Sequence, residues 1–216
     1  MANIKFTDLA YLVQSELPGC PLFVIERAMR ETAIDFFTKT DIHIQELEEV
    51  FTVSGESEYD LSPPTGSDIN HVVDVFRNAN TNNGSYTPLT AVTITDYYQK
   101  QGSGTAYYYT MTDNDTILLA PTPSASETLY VLFSLKPSQT TTSMNKGIAN
   151  RNAELLAHGT LYRLQMMPEQ AWSNTGSAAN NKTLYEKQMG DAMRKVKYGW
   201  AGAAMTASYK NFETGF

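Results

Sequence analysis

The hydrophobic spacing of this chain changes twice, and that change limits its possible folds more than any other feature of the sequence. Near the N-terminus apolar residues recur every three or four positions, as a helix requires: Leu22, Ile25, Met29, Ala33 and Phe36. From about residue 42 apolar and polar residues alternate instead, which predicts strands. The clearest alternating set is Leu129, Val131, Phe133 and Leu135. After residue 145 the helical spacing returns.

The last third of the chain contains the longest helical pattern. Its apolar residues form one stripe: Tyr185, Met189, Ala192, Met193, Val196 and Trp200. Such a stripe predicts a helix that packs one face against the rest of the protein. A preceding helix is predicted to end at Pro168. The small and polar residues from Trp172 to Asn181 predict a loop between these two helices.

Helices at both ends of the chain, on either side of a set of short strands, predict an α+β protein. About six strands with close turn signals favour an antiparallel β-sandwich or a barrel-like region. We therefore expect residues 1–40 and 145–200 to form one helical bundle domain, with residues 41–137 inserted as a β domain. Residues 201–216 are expected to form a C-terminal docking tail.

The charges are few and unevenly distributed. The 216 residues include 16 Lys and Arg against 23 Asp and Glu, which gives a net charge of −7. This acidity argues against a general nucleic-acid binder, whose affinity depends on cations that neutralise phosphates. Residues 1–144 carry a net −11 and residues 145–216 a net +4. The division indicates two surfaces with different partners; the alternative is a chance distribution with ordinary basic helices.

No catalytic, cofactor-binding or metal-binding pattern stands out, and we expect a protein that is not an enzyme and needs no cofactor. Cys20 is the single cysteine, so an intrachain disulfide is impossible and folding in a reducing cytoplasm is expected. His43, His71 and His158 lack a second ligand at metal-binding spacing. Nucleophile-elbow, Walker and HExxH motifs are missing. No stretch of 18 apolar residues predicts a membrane span.

Aromatic residues offer the best candidates for a binding function. Tyr107, Tyr108 and Tyr109 place large rings on both faces of one predicted strand, and tyrosine is favoured at protein interfaces. The C-terminal tail has spaced aromatic residues and follows a basic helix end. The candidate partner-docking residues are Trp200, Tyr209, Phe212, Phe216, Arg194, Lys195 and Lys197. The alternative is a disordered end without a partner.

Several segments, in order, resemble the head-to-tail adaptor (connector) proteins of tailed bacteriophages. The first is the helix Ile25-Glu26-Arg27-Ala28-Met29-Arg30-Glu31-Thr32-Ala33-Ile34-Asp35-Phe36-Phe37. The strand segments Ser54-Gly55-Glu56-Ser57-Glu58-Tyr59-Asp60-Leu61 and Ile117-Leu118-Leu119-Ala120-Pro121-Thr122-Pro123 follow. The last is the helix Ala157-His158-Gly159-Thr160-Leu161-Tyr162-Arg163-Leu164. The similarity extends over about residues 20–200.

This resemblance implies a structural protein of the virion, located at the head-tail junction and made in the host cytoplasm. Such adaptors form a homo-oligomeric ring, usually of twelve copies, under the portal protein, and they hold a downstream tail protein. DNA passes through the ring without specific binding, and no membrane is involved. Two alternatives remain: an upper tail tube or fibre-attachment ring protein of a short-tailed phage, and a tail hydrolase that uses acidic strand residues such as Glu46, Glu48 and Glu49.

Overall fold

The structure, a computed structural model, describes residues 2–46, 49–80, 85–113 and 115–198. Its helices are α1 (Phe6–Leu9), α2 (Tyr11–Gln14), α3 (Leu22–Thr40), α4 (Ile94–Gln99), α5 (Lys146–Arg151), α6 (Ala153–Gln165) and α7 (Thr175–Tyr198). Its strands are β1 (Asn3–Lys5), β2 (Ile44–Glu46), β3 (Val50–Phe51), β4 (Glu58–Asp60), β5 (Ser67–Asn80), β6 (Ser85–Pro88), β7 (Thr90–Ala91), β8 (Ser103–Gly104), β9 (Tyr108–Met111), β10 (Thr116–Ala120), β11 (Thr122–Pro123), β12 (Thr128–Pro137) and β13 (Ser143–Asn145).

The helices from the two ends of the chain share one apolar core. Its fully buried members come from α1, α3 and α6, among others: Phe6, Leu9, Ile25, Met29, Phe36 and Leu156. The helix α7 adds Tyr185, Met189 and Ala192 to the same cluster. These three residues belong to the stripe that the sequence predicts, so its first half is confirmed as buried. Met193 is exposed, Val196 is half-buried, and Trp200 lies outside the described residues.

A polar network ties the three long helices together. The Tyr185 hydroxyl on α7 donates to Oδ2 of Asp35 on α3 at 2.7 Å. Lys39 lies 2.8 Å from the same carboxylate, and Arg163 on α6 lies 3.6 Å from it. Arg163 also donates from Nε to the hydroxyl of Thr32 at 3.1 Å. Because these bonds cross between α3, α6 and α7, they set how the helices lie against one another.

Two larger sheets make up most of the β region. In one, the strands lie in the order β2-β12-β5-β6, and β3 also pairs with β12; every pairing is antiparallel. In the other, the order is β4-β10-β9-β7, and the last pair is parallel. Both sheets contribute to a single apolar cluster: Tyr59, Ile69, Val75, Tyr109, Ile117, Leu119, Leu129, Val131, Phe133 and Leu135.

The α+β class that the spacing predicts is therefore confirmed. The barrel-like alternative is wrong for the part of the chain that the structure describes, because none of its sheets closes on itself. The strand β5 is 14 residues long and pairs with both β12 and β6, so β12 and β5 form the centre of an open sheet. Register shifts interrupt the β12–β5 pairing between Leu132 and Phe133 and between Ser134 and Leu135.

Asp41 joins the helical part to the five-stranded sheet. It follows the last residue of α3 in a left-handed conformation with φ 51°. Its Oδ1 accepts hydrogen bonds from Ser134 Oγ at 2.8 Å and from Asn70 Nδ2 at 2.9 Å, and His71 Nδ1 lies 3.3 Å away. Short polar side chains tolerate the left-handed region better than other residues do. Asp41 thus ends α3, and its carboxylate holds that end of the helix on the outer side of the sheet.

One expectation about a connection is wrong, and one strand pairing is not predicted. The segment from Trp172 to Asn181 is a loop only up to Asn174, because Asn174 accepts from the backbone N–H of Ser177 and starts α7 at Thr175. Residues 143–145 pair with residues 3–5 in a small antiparallel sheet. Neither feature follows from hydrophobic spacing, since a cap and a strand pairing depend on single polar contacts and on distant residues.

Candidate interaction surfaces

The polar groups that catalysis most often uses have structural partners here. His43 packs its ring against Phe37 with centroids 6.0 Å apart, and burial lowers the pKa of His43. His158 shares a hydrogen bond of 2.9 Å with Asn181, and His71 lies beside Asp41. Within the described ranges, no group of three or more His, Cys, Asp or Glu residues could hold a metal ion.

The ionisable network of the helices is likewise explained by packing. Partial burial alone would raise the pKa of Asp35, but hydrogen bonds from Lys39 and Tyr185, together with the charge of Arg163, outweigh it and keep that pKa low. Burial and the Asp35 carboxylate raise the pKa of Tyr185. The pair is therefore an ionised carboxylate and a neutral phenol at neutral pH, which is the arrangement that a structural cross-link requires.

The outer side of the five-stranded sheet carries an exposed aromatic surface. In the β12–β5 register, Tyr130 lies opposite Phe76, on the face away from the buried side chains of Leu129, Val131 and Val75. Tyr86 from β6 meets Tyr130 edge to face, with ring centroids 5.2 Å apart. A groove of about 230 Å³ opens here, lined by Phe76, Tyr86, Tyr130, Val131 and Leu132. We call this the aromatic groove.

Two further side chains extend the surface around the aromatic groove. Phe51 on β3 lies opposite Thr128 and is 66% exposed, and Tyr86 is 54% exposed. Glu49, which precedes β3, accepts a hydrogen bond from the Tyr130 hydroxyl at 3.1 Å. Contiguous exposed aromatic area is uncommon on a monomer and marks contact sites on soluble proteins.

A second apolar groove lies on the helices, between the start of α3 and the end of α6. Phe23, Val24, Ala28 and Met167 line about 200 Å³ of space there, together with Arg27, Glu31 and Arg163. Phe23 is 71% exposed. The salt bridge from Arg27 to Glu31, 2.9 Å long, forms one side of the rim.

The basic end of α7 contains three of the residues that the sequence selects as docking candidates. Arg194, Lys195 and Lys197 are all exposed, and Arg194 forms an ion pair with Asp191 one turn earlier. Lys195 also borders a polar cleft of about 370 Å³ between α7 and the start of α6. The other candidates, Trp200, Tyr209, Phe212 and Phe216, lie outside the described residues. The docking role of all seven stays a prediction.

Two of the three consecutive tyrosines, Tyr108 and Tyr109, lie on opposite faces of β9 as the sequence predicts, and Tyr107 precedes the strand. Tyr109 is buried in the cluster between the two sheets. Tyr108 packs on the opposite face against a small cluster with Tyr97, and Lys100 lies 4.2 Å from its ring centroid. Tyr107 is exposed beside Arg77, whose guanidinium is 4.8 Å from the ring centroid.

Sequence reasoning does not find the aromatic groove, although one signal for it exists. The predicted strand from Leu129 to Leu135 turns its odd-numbered apolar residues inward, so Tyr130 and Leu132 must lie on the opposite face. The pattern of this strand does not show that Phe76, which is 54 positions before Tyr130, and Tyr86 lie next to Tyr130 and Leu132. The groove exists only after β5 pairs with β12 and β6 pairs with β5.

In the part of the chain that the structure covers, no helix combines the length and the apolar character needed to cross a bilayer. Exposed apolar surfaces of this kind mark contact sites for other macromolecules. The chain belongs to the SU10 adaptor protein family, whose sequence model matches residues 5–207. No curated protein matches the chain in sequence.

The family match confirms the resemblance on which the functional interpretation depends. The SU10 adaptor proteins are a family of phage head-to-tail adaptors. The protein is accordingly a bacteriophage adaptor and a component of the virion, and its family implies contacts with portal and tail proteins.

Proposed function

We propose that this adaptor forms a ring of twelve copies under the portal, extends the DNA channel and joins the capsid to the tail. The observation that carries this proposal is the family match, which extends over residues 5–207 and thus over both the helical and the β part. A ring would also explain why apolar side chains are exposed on the described surface, since neighbouring copies would cover some of them.

The separate apolar cores of the helical part and the β part support different roles for these two parts. The apolar cluster of the helices and the apolar cluster of the two sheets have no member in common. We therefore propose a helical bundle of residues 1–40 and 145–200 that meets the portal, and a sandwich-like β domain of residues 41–137 that faces the tail. The bonds that converge on Asp41 would fix the angle between them.

The charge distribution supports a channel that does not retain DNA. The net −11 of residues 1–144 would repel phosphates, whereas a lining of Lys and Arg would bind them. The net +4 of residues 145–216 would serve protein contacts instead. In this proposal the C-terminal tail, residues 201–216, docks on the portal.

Mass photometry and electron microscopy of the purified chain, with and without its portal protein, test the ring. Twelve copies of the 24.0 kDa chain give a particle of about 290 kDa, twelve times the chain mass, that co-purifies with the portal. A chain that stays at the monomer mass and ignores the portal would contradict the proposal. A ring that binds a tail tube or fibre protein but not the portal would favour the upper tail tube or fibre-attachment role.

A matched pair of variants tests the role of the tail. In the first variant residues 201–216 are deleted, and in the second they are replaced by a Gly/Ser segment of the same length. Both are expected to lose portal binding while the ring mass and the melting temperature of the folded part stay unchanged. If the Gly/Ser variant still binds the portal as the wild type does, the aromatic residues of the tail are not the docking element.

A further inference from the structure

The aromatic groove lies on a sheet that includes part of an acidic stretch of the chain. Residues 40–76, which include β2, β3, β4 and most of β5, contain nine Asp and Glu and no Lys or Arg. One of these acids, Glu49, is hydrogen bonded to Tyr130 at the edge of the groove. Electron-rich ring faces next to a carboxylate attract a cation with an apolar stem. The chemistry of the groove thus favours a partner surface that presents cations and flexible apolar side chains.

The last two turns of α7 present a surface of that chemistry. Gly190, Met193 and Lys197 follow one another at helical spacing of three and four residues, so they lie along one face, and Arg194 flanks them. Met193 is 38% exposed although it belongs to the apolar stripe. A Cβ atom at Gly190 would meet nothing within 4 Å. We call Gly190, Met193, Arg194 and Lys197 the α7 surface; the helix as a whole carries five Lys and Arg and two acids.

We propose that the α7 surface of one copy docks into the aromatic groove of the next copy, and that this contact repeats around the ring. The inference rests on the proposed ring function. Met193 supplies a flexible thioether that contacts the edges of aromatic rings favourably. Lys197 and Arg194 lie over Tyr86 and Tyr130 or pair with Glu49.

The occupant is a second copy because one chain contains both complementary surfaces on different parts of its fold. The groove lies on the sheet and the α7 surface on the helices, so the contact joins unlike surfaces. Repeated contacts between unlike surfaces close into a ring when the rotation allows it. A two-fold contact, in contrast, would require the same patch on both partners. The opposite charges of the two surfaces also favour the correct encounter over a groove-to-groove contact.

Intermolecular disulfide formation tests the contact directly. Cys20→Ser removes the only native cysteine. In this background one chain carries Tyr86→Cys and another carries Met193→Cys, and the two are mixed in equal amounts and oxidised mildly. We expect a disulfide-linked dimer in the mixture and at least tenfold less in either chain alone. Covalent bonding requires Cα atoms within about 7 Å, so random encounters contribute little.

A control pair separates this contact from general stickiness. Tyr98→Cys replaces an aromatic residue on α4 that is 65% exposed, against 54% for Tyr86, and that does not line the groove; it should give no dimer with Met193→Cys. Charge exchange adds an independent readout: Glu49→Lys or Lys197→Glu alone should shift the mass distribution from rings to monomers. The double variant should restore rings, and Lys182→Glu, at the other end of α7, should leave them intact. Melting temperatures confirm that each variant is folded.

The outcomes distinguish this inference from the proposed function. The inference is overturned if rings form but the disulfide-linked dimer does not, and if the charge exchanges leave the rings unchanged. The proposed ring function would then still stand. The portal or a tail protein would then be the occupant of the groove, and its addition should protect Tyr86→Cys from thiol reagents. A chain that forms neither rings nor the dimer overturns both proposals.

Discussion

Gly159 on α6 lies close to side chains of both α3 and α7, and its replacement by alanine tests the packing of the helical part. A Cβ atom at this position would lie 2.4 Å from Cγ2 of Thr32 on α3 and 2.7 Å from Cε2 of Tyr185 on α7. Neither neighbour is free to move away. Thr32 is fully buried and bonded through its hydroxyl to Ala28 and Arg163, and Tyr185 is held by Asp35.

The size of the effect follows from two opposing terms. Over-packing a well-packed core costs about 1–3 kcal/mol, and two contacts of less than 3 Å against held neighbours place Gly159→Ala in the upper part of that range. Alanine is a better helix former than glycine by about 1 kcal/mol, which offsets part of the cost. The expected net loss is about 1–2 kcal/mol of the free energy of unfolding. For a chain of this length it lowers the melting temperature by about 2–8 °C.

Gly190→Ala is the matched control, because this glycine also lies inside a long helix but has open space around it. Only the propensity term applies there, so the melting temperature should rise by about 2–4 °C. Circular dichroism melts and urea titrations of the two variants measure both shifts. Equal stabilisation by both substitutions would refute the close approach at Gly159. Adding Thr32→Ser to Gly159→Ala removes the nearest methyl group and should recover part of the loss.

Four other predictions concern single polar contacts. Tyr185→Phe should lower the free energy of unfolding by about 1–2 kcal/mol, because Asp35 loses a charge-assisted hydrogen bond. In the wild type the pKa of Asp35 is lower in the folded than in the unfolded state, so its ionised form stabilises the fold above the unfolded-state pKa. This stability is lost as the pH falls through the folded-state pKa of Asp35. Urea midpoints measured between pH 2 and 6 should therefore show a smaller loss of stability in Tyr185→Phe. Asn174→Ala should cost about 1 kcal/mol in urea titrations, because it removes the cap of α7. Asp41→Ala should cost about 2–3 kcal/mol in the same assay, because several donors lose one acceptor and alanine is strained in the left-handed region. Burial keeps His43 neutral in the folded state, so His43 is protonated in the unfolded state first as the pH falls. The free energy of unfolding should therefore decrease as the pH drops below the ordinary histidine pKa of 6.5. His43→Leu should flatten this part of the profile of stability against pH.

Each of these predictions has a result that would contradict it. A pH profile of Tyr185→Phe that equals the wild-type profile would mean that the phenol does not affect the Asp35 carboxylate. Asn174→Asp keeps a capping oxygen and should retain wild-type stability. Asp41→Asn should retain most of the wild-type stability. If His43→Leu loses the same stability as the wild type between pH 7 and pH 5, another group titrates in this range.

The architecture follows from the sequence to the extent that it depends on local spacing. The stripe from Tyr185 to Val196 predicts which face of α7 is buried, and the alternation from Leu129 to Leu135 predicts the inward side chains of β12. The end of α6 near Pro168 is local in the same sense, because proline restricts the backbone where it stands. The resemblance of several residue segments, taken in order along the chain, suggested the adaptor family.

The interaction surfaces depend on residues that are far apart in the chain. Tyr130 and Phe76 become neighbours through the pairing of β12 with β5, and Tyr86 joins them through β6. The sequence also selects the basic residues of α7 as docking candidates, but nothing in it indicates a groove of complementary chemistry on the sheet. A strand pattern tells which side chains share a face, and it does not tell which other strand lies beside them.

By itself, then, the sequence determined the α+β class, the buried faces of the long helix and of the central strand, and the family. These properties depend on period and order, which are written along the chain. The tertiary structure alone decided that the two main sheets stay open, that Gly159 brings three helices together, and that Asp41 holds the last turn of α3 to the sheet. It also decided which aromatic rings are exposed, because burial is set by the elements that pack against a residue rather than by its neighbours in sequence.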